Sequence, residues 1–150
     1  MQEFIVRKAT HQDMSSIYQL VHELAVFEKE PEALKISVKE YEDAFAEGLI
    51  DSIVAEKDGK IAGITVFYMT FSTWRGKCLY LEDFYVKPQY RKYGLGQRLF
   101  DAYLHEAKLR GAKQTKWQVL DWNEIGLNFY IKNNALIEKN WWNGKIFFDE

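Results

Sequence analysis

A chain of 150 residues is long enough to bury one proper core and too short for two. Its 47% apolar and 28% charged residues are ordinary for a soluble globular protein, and a net charge of −2 offers no global field for nucleic acid or a membrane surface. The one cysteine, Cys78, excludes an internal disulfide and a cysteine-rich zinc site; without an apolar run of about 18 residues or a signal peptide, the reading is a cytoplasmic protein with no membrane span and no bound metal.

The elements follow in order. Phe4-Ile5-Val6-Arg7 is a short apolar strand. Thr10 and Asp13 have the spacing of a capping box, and Ile17, Leu20, Val21 and Leu24 recur at helical period, predicting a helix that ends near Phe27. The polar stretch 28–32 contains Pro31 and reads as a loop. Ser37 and Glu40 form a second capping box for a short helix closed by Gly48.

From Ser52 the period changes to two. The runs 52–57 and 60–71 flank Asp58-Gly59, a strong hairpin signal, and a turn at Arg75-Gly76-Lys77 leads into a third strand, LYLEDFYV (79–86). A helix over 94–110 carries Leu95, Leu99, Ala102, Tyr103 and Ala107 on one face, with Gly111 beyond its end. A strand is expected over 113–120, a helix over 123–133, and a terminal β-ribbon over 135–150 turning at Asn143-Gly144. The order β-α-α-β-β-β-α-β-α-β-β predicts an α/β (α+β) single domain, a mixed and mostly antiparallel sheet with helices on both faces.

One stretch stands at the joint between a strand and a helix: YRKYGLGQ (90–97). A helix N-terminus exposes amides without intrahelical partners, glycine allows close backbone approach, and Arg91, Lys92 and Arg98 add charge. By spacing alone this is either a phosphate cradle or a glycine turn with solvated cations. A P-loop is excluded because no Gly-Lys-Ser/Thr follows, and a dinucleotide fingerprint fits poorly because the third glycine is missing.

Two acids, Glu82 and Asp83, interrupt the apolar strand 79–86. Alternation sends adjacent side chains to opposite faces, so one of them is expected in any given cleft. Burying an unpaired carboxylate is costly, so each needs a partner or a wet pocket. Tyr130 shares a helical spacing with Leu127 and reads, on that basis, as a core tyrosine. His11, His22 and His105 stand away from every motif.

Arg91-x-x-Gly94-x-Gly96, together with Asn123, Phe129-Tyr130 and Lys132, resembles the signatures of the GNAT superfamily of N-acetyltransferases. The likeness spans essentially the whole chain and is closest to the spermidine/spermine and thialysine acetyltransferases. Asn134-Ala135 stands where that pattern has Gly-Phe, a mild departure because asparagine tolerates the left-handed conformation.

The resemblance implies acetyl-CoA as co-substrate. In it, Arg91, Lys92, Tyr93, Gly94, Leu95, Gly96 and Gln97 form the pyrophosphate loop. Phe84, Tyr85 and Val86 meet the pantetheine arm, and Asn123, Glu124, Ile125, Gly126 and Asn133 add further CoA contacts. Tyr130 becomes the acid that protonates the departing thiolate, and Glu82 the group that binds the substrate amine and helps remove its proton through water. Phe27, Glu28, Asp83, Lys116, Trp117 and Gln118 take substrate-lining positions. Phe27 replaces a tyrosine of the polyamine enzymes, which weakens the case for spermidine or spermine while keeping a cationic amine. A different amine, or a CoA-binding module without turnover, is the alternative. The resemblance further implies a small-molecule amine acceptor and a homodimer, with the aromatic end NWWNGKIFF (140–148) at the interface or covering the sheet.

Overall fold

The structure is a computed structural model and describes residues 3–149. Five strands form one sheet in the order β1-β2-β3-β4-β5: Ile5–Lys8, Asp51–Lys57, Lys60–Ser72, Gly76–Val86 and Gln114–Trp117. The first three junctions are antiparallel and the last, β4 with β5, is parallel. A parallel neighbour requires a crossover, and the helix Leu95–Leu109 (α3) supplies it.

Both predicted capping boxes form. Thr10 and Asp13 cap a 3₁₀ turn that runs into α1, Met14–Phe27, while Ser37 and Glu40 cap α2, Val38–Ala46. Asp58 (φ +52°) and Gly59 (φ +78°) are both left-handed, as a two-residue hairpin turn between right-twisted strands demands. The end of α1 carries no glycine signal. Lys29 takes the left-handed conformation instead (φ +63°), and Glu30 N–H reaches back to the Ala25 carbonyl at 2.8 Å.

The sheet separates two apolar layers. On one face Met14, Ile17 and Leu20 of α1 and Tyr41 of α2 pack with Val54, Ile64, Val66 and Tyr85. On the other, Phe67 lies 5.5 Å from Tyr103 and Phe84 stacks on Phe100 at 5.9 Å, both partners on α3. Gly63 lets this second layer close, since a Cβ there would lie 2.9 Å from Cδ1 of Leu99. Arg7 ties the first strand to its neighbours, donating to Asp13 at 2.7 Å and Glu56 at 2.8 Å.

Compactness divides the chain after Gln118, and residues from Val119 onward form a second unit. That unit contains α4, Glu124–Lys132. The Asn123 side chain caps it by accepting from the Gly126 amide at 3.1 Å. A Cβ on Gly126 would stand 2.6 Å from Nδ2 of Asn123, so the cap itself requires a glycine there. Asn134 is left-handed (φ +66°), as its substitution for glycine anticipates, and Ala135 N–H closes the helix on the Tyr130 carbonyl at 3.0 Å.

The expected terminal β-ribbon does not form: among described residues 135–149 there is no strand, so the last two elements of the predicted order are absent. A lone two-stranded ribbon is marginal in water, and Trp142 (95% exposed) and Phe148 (97%) bury too little to hold one.

Candidate functional site

The centre of the site is a break in strand alternation. Val66 of β3 pairs with Asp83 and Phe67 pairs with Leu81, leaving Glu82 as an extra residue on β4. This is a β-bulge, in which two residues of one strand oppose one of the other. The expectation that Glu82 and Asp83 point to opposite faces is thereby overturned: the bulge resets the alternation, and both carboxyl groups line one pocket.

That pocket, about 440 Å³, opens between β3–β4, the end of α1 and the start of α2. Its apolar wall includes Val21, Leu24, Leu34, Ile50 and Val66, and its polar groups are Glu28, Glu40, Tyr41, Tyr68, Glu82 and Asp83. None of its lining residues is a lysine, arginine or histidine. The Tyr68 hydroxyl donates to Oε1 of Glu82 at 2.7 Å, while Glu40 accepts the Ser37 amide at 2.9 Å.

The electrostatic consequence falls on Asp83. Burial, then the neighbouring charges of Glu82 and Glu28, push its carboxyl up to about 7. Burial also raises Glu28. The phenols of Tyr41 and Tyr68 are pushed well above their usual range, chiefly by burial, so both stay protonated. An apolar slot edged with uncompensated carboxyl groups suits an alkyl cation.

Other expected acceptor positions lie elsewhere. Phe27 borders a separate cavity of about 320 Å³ with His22, Glu23, Tyr85 and Arg91. Trp117 packs edge-on against Phe100 at 5.6 Å, on the α3 side of the sheet, because its strand partner Leu81 faces that way. Lys116 pairs with Tyr80 on the opposite face, and neither it nor Gln118 lines the pocket.

The loop at 90–97 divides into residues that build it and residues that leave room. Pro88–Tyr93 form a 3₁₀ turn, and Gly94 (φ +71°) is the left-handed N-cap of α3. Gly94 is thus required by backbone conformation. Gly96 is not: a Cβ there would meet Phe84 at 3.8 Å and Val86 at 4.0 Å, ordinary contact distances. Lys92, Tyr93, Leu95 and Gln97 lie along this turn and the first turn of α3, where helix amides point outward.

Two of the basic groups have internal partners. Arg91 donates from Nε to the Val86 carbonyl at 2.8 Å, and its guanidinium lies 5.4 Å from the Tyr85 ring and 5.7 Å from the Phe27 ring. Arg98 donates to the Phe4 carbonyl at 3.2 Å. Alongside, the parallel ladder stops at Leu81–Trp117 while β4 and its pairing with β3 continue to Val86. The stretch Glu82–Val86 therefore runs past the end of β5, carrying Phe84, Tyr85 and Val86 toward the loop.

The remaining predicted residues belong to the second unit. Asn123 and Gly126 form the cap of α4, Glu124 stands in its first turn, Ile125 is exposed, and Asn133 donates to the Phe129 carbonyl at 2.9 Å. Tyr130 is buried, its ring edge-on to Phe129 at 5.5 Å. Among the described residues no group of three or more His, Cys, Asp or Glu side chains is placed to hold a metal ion, and no helix is long and apolar enough to cross a membrane.

Glu40, Tyr41 and Tyr68 were not expected at the site. Glu40 is explained locally as a capping residue, and Tyr41 as part of the apolar face of a helix. Tyr68 shares the face of Val66 by alternation, so it becomes legible once the pocket face is known.

A model of the acetyltransferase (GNAT) family matches residues 12–134. A thialysine N-epsilon-acetyltransferase of Bos taurus is 35% identical over 136 residues, covering 84% of this chain and 80% of the relative. The spermidine/spermine N(1)-acetyltransferase-like protein 1 of Homo sapiens is 30% identical over 145 residues, 91% of this chain and 21% of that one. Among solved structures, an aminoglycoside acetyltransferase from an uncultured soil metagenomic sample has a TM-score of 0.81 at 15% identity, covering 97% of this chain and 96% of that chain, a likeness of fold.

Proposed function

The chain belongs to the acetyltransferase (GNAT) family, and from that premise we propose that it moves the acetyl group of acetyl-CoA to a primary amine of a small cationic substrate of polyamine or thialysine type. The observation that carries the acceptor class is the pocket lined by Glu28, Glu40, Glu82 and Asp83 with no cationic side chain in its wall. A neutral or anionic acceptor gains nothing from four carboxyl groups. An ammonium on an alkyl chain gains both charge pairing and apolar contact.

In this reading the amides of the Gly94–Gln97 turn take the CoA pyrophosphate, with Gly96 leaving space for it. The backbone of Phe84–Val86 takes the pantetheine arm as an added strand, with one amide facing the thioester oxygen and holding the developing oxyanion. Glu82, oriented by Tyr68, holds the substrate ammonium and accepts its proton through water. The free amine attacks the thioester carbon in a ternary complex without an acyl-enzyme. Tyr130 then protonates the thiolate, a phenol and an alkyl thiol being of similar ordinary acidity.

We further read the 150 residues as one acetyltransferase domain acting in the cytoplasm as a homodimer. The exposed Trp141, Trp142, Phe147 and Phe148 support a second copy as their cover. The mass in solution tests the dimer.

Thiol release, followed with linear diamines, spermidine, thialysine, lysine, an aminoglycoside and a peptide N-terminus, tests the acceptor class. Turnover is expected with the di- and polycationic amines or thialysine, and Tyr130→Phe is expected to reduce kcat far more than CoA affinity. Preference for the peptide, or unchanged turnover in the variant, removes the corresponding part of the reading.

A further inference from the structure

The acceptor pocket holds more carboxyl groups than one ammonium neutralises, and they are not equally fastened. Glu82 is held by Tyr68 and Glu40 by the Ser37 amide. Among the described residues, the Asp83 carboxyl receives no hydrogen bond and no ion pair. Its place is set by the bulge, which sets it on the Val66 side of the sheet beside Glu82.

We propose that Asp83 is protonated in the free pocket and exchanges that proton for the ammonium of the incoming substrate. The exchange rests on the acceptor reading above and gives one of its carboxyl groups a specific task. The groups facing Asp83 are Glu28 from the end of α1, Glu40 and Tyr41 from α2, Tyr68 from β3 and Glu82 beside it on β4. None is a cation, and the Tyr68 hydroxyl already donates to Glu82, so no positive charge in the wall offsets a second carboxylate next to Glu82.

Burial and the charges of Glu82 and Glu28 hold Asp83 at about 7 when the pocket carries no cation. An ammonium supplies the missing positive charge, favours the carboxylate and sends the proton to solvent. Substrate affinity therefore rises with pH up to about 7 and levels off above it. A neutral molecule of the same shape gains no such term, which makes the exchange a filter for charge.

Calorimetric titration of the protein with 1,4-diaminobutane and with thialysine, at pH 6, 7 and 8 in buffers of different ionisation enthalpy, reads the proton directly. Release of about 0.9, 0.5 and 0.1 protons respectively is expected for a group titrating near 7. Asp83→Asn should bind without release, while Glu82→Gln should still release at pH 6. The ¹³C carboxyl resonance of Asp83 in the unaltered protein should titrate near 7 when free and lower with diamine bound, a readout that does not depend on any variant folding.

Heat independent of buffer with amine bound and acetylated, or release lost in Glu82→Gln and kept in Asp83→Asn, overturns the exchange and leaves the acceptor reading standing. Failure of both amines to bind removes the acceptor reading and the exchange with it.

Discussion

Tyr68 and Glu82 sit on neighbouring antiparallel strands, and the phenol donates to Oε1 of the carboxylate at 2.7 Å beside the bulge that turns Asp83 to the same side. The bond fastens one of two adjacent acids and leaves the other to its surroundings. Two residues that alternation would separate thus become a pair with different surroundings.

Replacing Tyr68 by Phe removes the donor and keeps the ring. A hydrogen bond to an exposed charged group is worth about 0.5–1.5 kcal/mol, so kcat/KM for the amine should fall roughly two- to tenfold. KM for acetyl-CoA should not move. An equal rise in both KM values would mean that Tyr68 acts on the fold and not on Glu82.

Asp83 should cost stability wherever it is ionised. Its folded-state value, about 7, lies above the unfolded value of about 3.9. The penalty is full above pH 7 and shrinks as pH falls through 7 toward 4, because the folded state takes up the proton first. Asp83→Asn should therefore raise stability by about 1–3 kcal/mol at pH 8, with a smaller gain at pH 5. Thermal melts across that range test the sign, and a gain that grows on acidification would falsify it.

Arg91 is braced between the Val86 carbonyl and the rings of Tyr85 and Phe27. Lysine keeps the charge and loses the planar fork that makes both contacts. Arg91→Lys should lower stability by about 1 kcal/mol and raise KM for acetyl-CoA through a displaced loop. Full retention of both in the lysine variant would identify Arg91 as a point charge for phosphate.

Gly94 and Gly96 should separate fold from ligand. Gly94→Ala forces a side chain into φ +71° and should cost about 1 kcal/mol or more of stability. Gly96→Ala meets only ordinary contacts and should melt like the unaltered protein. Its effect should appear in CoA affinity, measured by direct titration. Loss of stability without loss of affinity at Gly96 would assign that glycine to packing.

Much of the architecture is legible along the chain. The boxes at Thr10–Asp13 and Ser37–Glu40, the turn at Asp58-Gly59 and the left-handed Asn134 are settled by contacts within a few residues. The end of α1 falls at Phe27 as expected, with a lysine doing just beyond it what a glycine usually does. The terminal ribbon fails for the opposite reason: Asn143-Gly144 is a good turn between apolar runs, but a turn does not make a sheet without a third strand or an apolar layer.

The sequence alone determined the family signature, the joint at YRKYGLGQ and the residue types at the site, because motif spacing and helical or strand period are local properties. Only the tertiary structure decided where those residues point. Glu82 and Asp83 share a pocket because the register between β3 and β4 slips by one at Glu82, and Trp117 faces α3 because its partner Leu81 does. Register is a relation between strands distant in sequence, and one extra residue reverses every side chain beyond it.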